Sequence, residues 1–158
     1  MPSPPSPKEV LAAVRASPGH RVKVAIVDID GILRGKYIHK EKFVSAIEGG
    51  FGFCDVVYGW DSHDQCYDNT TLTGWHKGFP DVVARLDLAT HRNVPWDDGV
   101  DFFLGNCVRT NAKGREEPFP LDPRQVLKRV LARADKLGLA PMCSLEFEFF
   151  NFAETPHS

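Results

Sequence analysis

The sequence has no run of about 18 apolar residues, the length a membrane-spanning helix needs. Its Pro- and Ser-rich start, Met1 to Pro7, carries neither the charged nor the apolar stretch of a secretory leader. Positive charge is not in surplus: 19 Lys and Arg stand against 21 Asp and Glu, a formal net charge of -2. That excludes binding to nucleic acid by backbone electrostatics alone, so neither nucleic acid nor membrane is an expected partner. Of the four cysteines, Cys54, Cys66, Cys107 and Cys143, no two are spaced C-x-x-C, which excludes a zinc ribbon and a thioredoxin-type motif. Without a leader, four reduced thiols in a cytoplasmic protein are expected. Cys107 and Cys143 lie in apolar runs, where a thiol acts as a small hydrophobe.

At 158 residues, 42% of them hydrophobic, the chain is long enough for one cored domain, or a small domain and a piece of another. Residues 1–17 read as a mobile leader and an N-terminal helix. Ser6-Pro7-Lys8-Glu9 is a capping box with proline at the first helical position. Arg21–Asp30, rich in Val and Ile, reads as a strand; Asp30-Gly31 is a hairpin turn signal, and Leu33–Ile38 the return strand. Lys40–Glu48 reads as a helix stopped by Gly49-Gly50. Asp81–Leu88 alternates and Val100–Val108 is an apolar run, so both are predicted strands. Ahead of both, residues 58–80 show no periodicity; a long irregular loop holding Trp60 and Trp75 is expected to be functional. Asn111–Glu117 is a polar break and a candidate domain boundary. Asp122-Pro123-Arg124-Gln125 combines an N-cap, a proline at the first helical position and a box partner, opening a helix whose Val126, Leu127, Val130, Leu131, Ala134 and Leu137 form one stripe, and Ser144–Phe150 reads as a strand. The order strand, turn, strand, helix predicts an α+β domain.

Three clusters could carry chemistry. On a strand, Glu146 and Glu148 share one face and Phe147 and Phe149 the other. Such a carboxylate pair either ligates a divalent cation or faces water on an edge strand. The segment Val24–Gly31 ends in D-x-D-G, the way haloacid-dehalogenase-type phosphohydrolases present nucleophile and acid; Asp28 and Asp30 would serve, with Asp97-Asp98 as the magnesium pair. That fold needs a parallel sheet of βα units, and residues 51–96 show no helical pattern; a strand ending in a D-G turn is the simpler reading. Asp61, His63 and Cys66 could ligate zinc, but a carboxylate facing substrate from a Trp-flanked loop fits better.

Taken in order, these stretches resemble the N-terminal part of the glutamine synthetase family, including its γ-glutamyl-amine and polyamine ligase relatives. The resemblance rests on Val27-Asp28-Ile29-Asp30-Gly31-Ile32-Leu33-Arg34-Gly35-Lys36-Tyr37, on Gly50–Asp55 with Gly59-Trp60-Asp61 and Gly74-Trp75, on Pro80–Asp87 with Val94-Pro95-Trp96, and on Asp122–Leu127 followed by Leu145–Phe150. It implies a β-grasp-like N-terminal domain over 18–112, then the first helix and strand of a truncated catalytic domain over 118–158. It implies ATP-dependent amide formation between the γ-carboxyl of glutamate and ammonia or an amine, through γ-glutamyl phosphate, in a homo-oligomeric ring, as part of glutamine and nitrogen metabolism. In that reading Glu146 and Glu148 ligate Mg2+ or Mn2+, Glu148 with the metal that holds glutamate and Glu146 with the one that holds ATP phosphates. Asp61 is the catalytic carboxylate that binds and deprotonates ammonium in a neighbouring subunit's site; Asp64 and Trp75 contact substrate. Where one branch of the family has D-G-S-S, this chain has Asp61-Ser62-His63-Asp64, closer to the divergent branches. Ending at Ser158, the chain is expected to be a fragment, inactive alone and holding no metal or ATP tightly, or else a non-catalytic truncated paralogue that docks with full-length partners.

Overall fold

The first helix, α1 (Pro7–Ala16), starts where its capping box is written: the Glu9 amide donates to Ser6 Oγ at 3.3 Å, and the Ser6 amide to Glu9 Oε2 at 2.7 Å. The computed structural model of the chain describes residues 6–153 and 155; residues 1–5 of the expected leader lie outside them. Val10 and Val14, one helical turn apart, are the side chains α1 buries.

Strands β1 (Arg21–Val27) and β2 (Leu33–His39) form an antiparallel hairpin, and α2 (Lys40–Gly49) follows at once, burying Phe43 and Ala46. Next come β3 (Phe51–Cys54), β4 (Asp81–Val94), β5 (Val100–Thr110) and β6 (Glu116–Pro118). Among the described residues these strands make one sheet in the order β2-β1-β5-β4-β3, with β6 on β5. Every pairing is antiparallel except β1 with β5, where Val22–Ala25 run parallel to Asp101–Leu104. The strand, hairpin, helix and central parallel pair make an α+β, β-grasp-like domain, as expected.

Alternation in the strands builds two apolar layers. Val22, Val24 and Ile26 of β1, with Phe103 and Cys107 of β5, face α1 and α2. Phe103 and Phe43 meet with ring centroids 4.7 Å apart. Ala25, Val94, Val100, Phe102 and Leu104 make a smaller cluster. Gly105 lies among the first layer because a Cβ there would come within 3.1 Å of Ala84 Cβ.

Several boundaries differ from those read in the sequence. β1 ends at Val27, three residues early, because Asp28 leaves the ladder to build the turn. β4 runs on to Val94 because Arg92–Val94 pair with Val100–Phe102 after an irregularity past Asp87. The polar stretch at 111–117 turns back, and its end forms β6 on β5. Cys107 is buried, whereas Cys143 is exposed because its flanking apolar residues find nothing to pack against; all four thiols are free.

The last helix, α3 (Pro123–Lys136), begins at the predicted cap. Gln125 does not reach back to complete a box; its amide donates to the Cys107 carbonyl at 3.0 Å and pins the helix to β5. Arg124 and Lys128 reach Asp87 of β4 at 2.8 and 3.3 Å. The predicted apolar stripe is there, but Val126, Leu127, Val130, Leu131 and Leu137 are exposed. The strand expected over 144–150 is not formed: the segment is irregular and exposed, for want of a neighbouring strand to take its backbone hydrogen bonds.

The β1–β2 turn shows what its aspartates do. Asp28 is fully buried; its Oδ1 accepts the Asp30 and Ile32 amides at 3.0 and 2.8 Å, and its Oδ2 accepts Arg34 Nε at 2.8 Å. Gly31 sits at φ 84, where a side chain would be strained. Asp97 is likewise engaged, with Lys23, Tyr37 and Arg21. Nor is the sheet the parallel array of βα units that a phosphohydrolase would need. Asp28→Asn places an amide donor against Arg34 and is expected to cost about 2 kcal/mol. Urea unfolding measures this; an unchanged midpoint would remove the turn role.

Candidate functional site

After β3, a single turn of 3-10 helix (Asp55–Tyr58) leads into the long loop. Its first part closes on itself. The Tyr67 amide donates to the Gly59 carbonyl at 2.8 Å, Trp60 and Cys66 form an isolated antiparallel bridge, and the Asp61 amide donates to the Gln65 carbonyl at 3.1 Å. Within this turn Asp61 Oδ1 accepts the His63 and Gln65 amides at 2.8 and 3.0 Å. Those amides, Gln65 first, hold the Asp61 carboxyl below the ordinary carboxylate range. Asp61 Oδ2 accepts no hydrogen bond among the described residues. The turn therefore presents an ionised carboxylate with one oxygen fixed and one open. Asp64 adopts φ 61, a left-handed conformation that Asp tolerates better than most residues.

The turn is tied to the β1–β2 hairpin by Arg34. Its Nη1 lies 2.9 Å from Asp64 Oδ1 while its Nε holds Asp28, and its guanidinium stacks 4.9 Å from the Trp60 ring centre. Tyr67 belongs to the same neighbourhood: burial, then the carboxylates of Asp30, Asp61 and Asp28, push its hydroxyl above the usual value. The second part of the loop hangs on buried Thr73, whose hydroxyl donates to Asp55 Oδ1 at 2.9 Å; burial raises the Asp55 carboxyl. Trp75 opens a short 3-10 helix (Trp75–Lys77), packs edge-on against Phe79 at 5.1 Å and is 76% exposed.

Of the residues picked from the sequence, the structure brings Asp61 and Asp64 into one turn, with Trp75 exposed later in the same loop. Asp64 gives one oxygen, Oδ1, to Arg34. Glu146 and Glu148 stand elsewhere, exposed on the irregular C-terminal segment, with no hydrogen-bond or ion-pair partner among the described residues. Among those residues no three His, Cys, Asp or Glu side chains gather to hold a metal ion. The zinc grouping of Asp61, His63 and Cys66 is therefore not assembled among the described residues. For Mg2+ or Mn2+ the oxygen chemistry of Glu146 and Glu148 fits but the number of donors does not. Arg34 and the Thr73–Asp55 clamp were not singled out from the sequence. The R-G-K return strand was the visible signal for the first; nothing local marked the second.

No protein-family model matches the chain. It is 45% identical over 149 residues to type-1 glutamine synthetase 2 of Dictyostelium discoideum, covering 94% of this chain and 28% of that protein. It is 34% identical over 130 residues to a Pseudomonas glutamate–isopropylamine ligase, covering 82% of this chain and 28% of the relative. The chain thus spans little more than a quarter of the length of these relatives. Among solved structures, a novel glutamine synthase homologue superposes with TM-score 0.61 at 23% identity, over 78% of this chain and 28% of that one. GmaS with ADP superposes with TM-score 0.58 at 22% identity, over 81% and 26%. These two show the shared fold. Among the described residues no helix is long and apolar enough to cross a membrane. In sequence over nearly its whole length, and in fold, the chain is glutamine synthetase-like, corresponding to the N-terminal portion of proteins of that family.

Proposed function

We propose that the chain supplies the N-terminal portion of a ligase that joins the γ-carboxyl of glutamate to ammonia or an amine at the expense of ATP, through γ-glutamyl phosphate. One observation supports the reading most: the stretch similar to glutamine synthetase and glutamate–amine ligase includes the Asp61 turn, which offers an ionised carboxylate with an open oxygen. Such a group attracts an ammonium or alkylammonium ion and, once that ion is desolvated, can take a proton from it. Trp75, exposed later in the same loop, is proposed as an apolar wall for the substrate. In this reading the protein works in a homo-oligomeric ring, where the turn completes a neighbouring subunit's site.

Glu146 and Glu148 are proposed as two of the ligands to the divalent ions that accompany ATP and glutamate, the remaining ligands coming from catalytic segments beyond those described. The test uses a polypeptide that joins these 158 residues to the rest of a glutamine synthetase-like catalytic domain. ADP release that needs both glutamate and an amine, across a panel from ammonium to isopropylamine, is the expected result. No amine-dependent release with any member of the panel overturns the proposal. In the same polypeptide Glu148→Gln should raise the glutamate requirement and Glu146→Gln the nucleotide requirement, each about tenfold or more. Unchanged magnesium and manganese dependence in both variants returns the pair to solvated carboxylates.

A further inference from the structure

We propose that Arg34 positions the Asp61 turn: by clamping Asp28 of the β1–β2 hairpin and Asp64 of the loop at once, it fixes where the open Asp61 oxygen points and so sets how tightly the acceptor amine binds. The inference rests on the ligase reading for its substrate and on geometry for its mechanism. Arg34 leaves β2 beside the turn that Asp28 builds, and Asp28 is itself fully buried. One guanidinium edge is thereby anchored to the sheet. The next nitrogen, Nη1, holds Asp64 at 2.9 Å. Asp64 lies inside the five-residue turn closed by Asp61 and Gln65, and its own amide donates to the Asp61 carbonyl at 3.0 Å. Moving Asp64 therefore moves the amides that grip Asp61 Oδ1. The Trp60 ring, next to Asp61 in sequence, closes the other side of the guanidinium.

The arrangement favours placement over local stability. Arg34 Nη2 and Trp60 Nε1 are both buried with no hydrogen-bond partner among the described residues. An unpaired buried donor works against folding, so the contacts this guanidinium does keep are those that place the turn. Two separate carboxylates on one planar fork are also a task for arginine, which a point-charge ammonium on a flexible stem does poorly.

The experiment combines two readings. In the 158-residue chain, amide hydrogen exchange at His63 and Gln65 is followed by NMR for wild type, Arg34→Gln, Arg34→Lys and Asp64→Asn. Exchange about tenfold faster is expected in Arg34→Gln and Asp64→Asn, with Arg34→Lys between them and wild type. Asp64→Asn leaves the Asp28 turn untouched, so it decides the matter where Arg34→Gln fails to fold. In the joined ligase, the same variants should raise KM for the amine about tenfold while KM for glutamate changes less than twofold. Unchanged exchange in a folded Asp64→Asn chain overturns the positioning role. Equal increases in both KM values overturn the link to acceptor binding. Should wild-type ligase show no amine-dependent ADP release, the proposed function fails, and the exchange reading still decides the positioning.

Discussion

Asp61→Asn in the joined ligase is expected to reduce turnover with ammonium about 100-fold, the scale set by removing one preorganised electrostatic group from a reaction centre. The substitution is chosen for what it keeps. Asparagine retains a carbonyl oxygen that can accept the His63 and Gln65 amides, now 2.8 and 3.0 Å from Oδ1, so the turn should hold. What changes is the open position: a negatively charged oxygen becomes an amide donor, which repels a cation and cannot receive a proton. Both the amine KM and kcat should suffer. Because the carboxyl is held below its ordinary range, wild type keeps this charge throughout the neutral range. The contribution is present above the unfolded carboxyl value and is lost only as pH falls through the lower folded value. The rate profile of wild type should therefore show no Asp61 limb near neutrality. A variant with full ammonium-dependent turnover would remove Asp61 from the site.

Asp122→Ala should be the most damaging polar substitution for folding, at about 3 kcal/mol. Asp122 is buried at the start of α3, where its Oδ1 accepts the Arg124 amide at 2.8 Å and the Gln125 amide at 3.4 Å. Loss of such a helix cap costs about 1 kcal/mol. Its Oδ2 also accepts the Cys107 amide of β5 at 2.6 Å. That donor is buried, and leaving it unpaired adds roughly another 2 kcal/mol. Burial pushes the Asp122 carboxyl above its usual value despite these donors. A folded value above the unfolded one favours the protonated form, so this contribution is full below the unfolded value and is lost as pH rises through the folded one. Asp122→Asn keeps one acceptor and does not ionise. It should be less stable than wild type near pH 4 by more than it is near pH 7. Urea midpoints at the two pH values check the sign, and a constant difference would contradict it.

Local chemistry was what the sequence showed best. The Ser6–Glu9 box, the Asp122 cap and the Asp30-Gly31 turn are written within a few residues, and each forms as expected. Pairing across distance was hidden. Arg34 and Asp64 stand far apart in the chain, and only the folded hairpin brings them to 2.9 Å. β3 and β6 are too short to show a period, and both exist because a longer strand offers them an edge. The alternation of Leu145, Phe147 and Phe149 was real as pattern, yet a strand is a partnership of backbones and none is at hand there. In the site, carboxylate chemistry could be read directly, whereas which oxygen of Asp61 stays open is decided by two amides further along its own turn.

The parallel pairing of β1 with β5 also sets when the sheet can close during synthesis. The hairpin β1–β2 and helix α2 are complete once Gly49 has left the ribosome. The other edge of β1 must wait for Asp101–Leu104, the partners of Val22–Ala25. At roughly 5–20 residues per second, that wait lasts several seconds, with Val22, Val24 and Ile26 uncovered by β5. A nascent strand in that state is open to pairing with another chain. The late arrival of the central strand leaves one edge of the half-built hairpin without its partner for that interval.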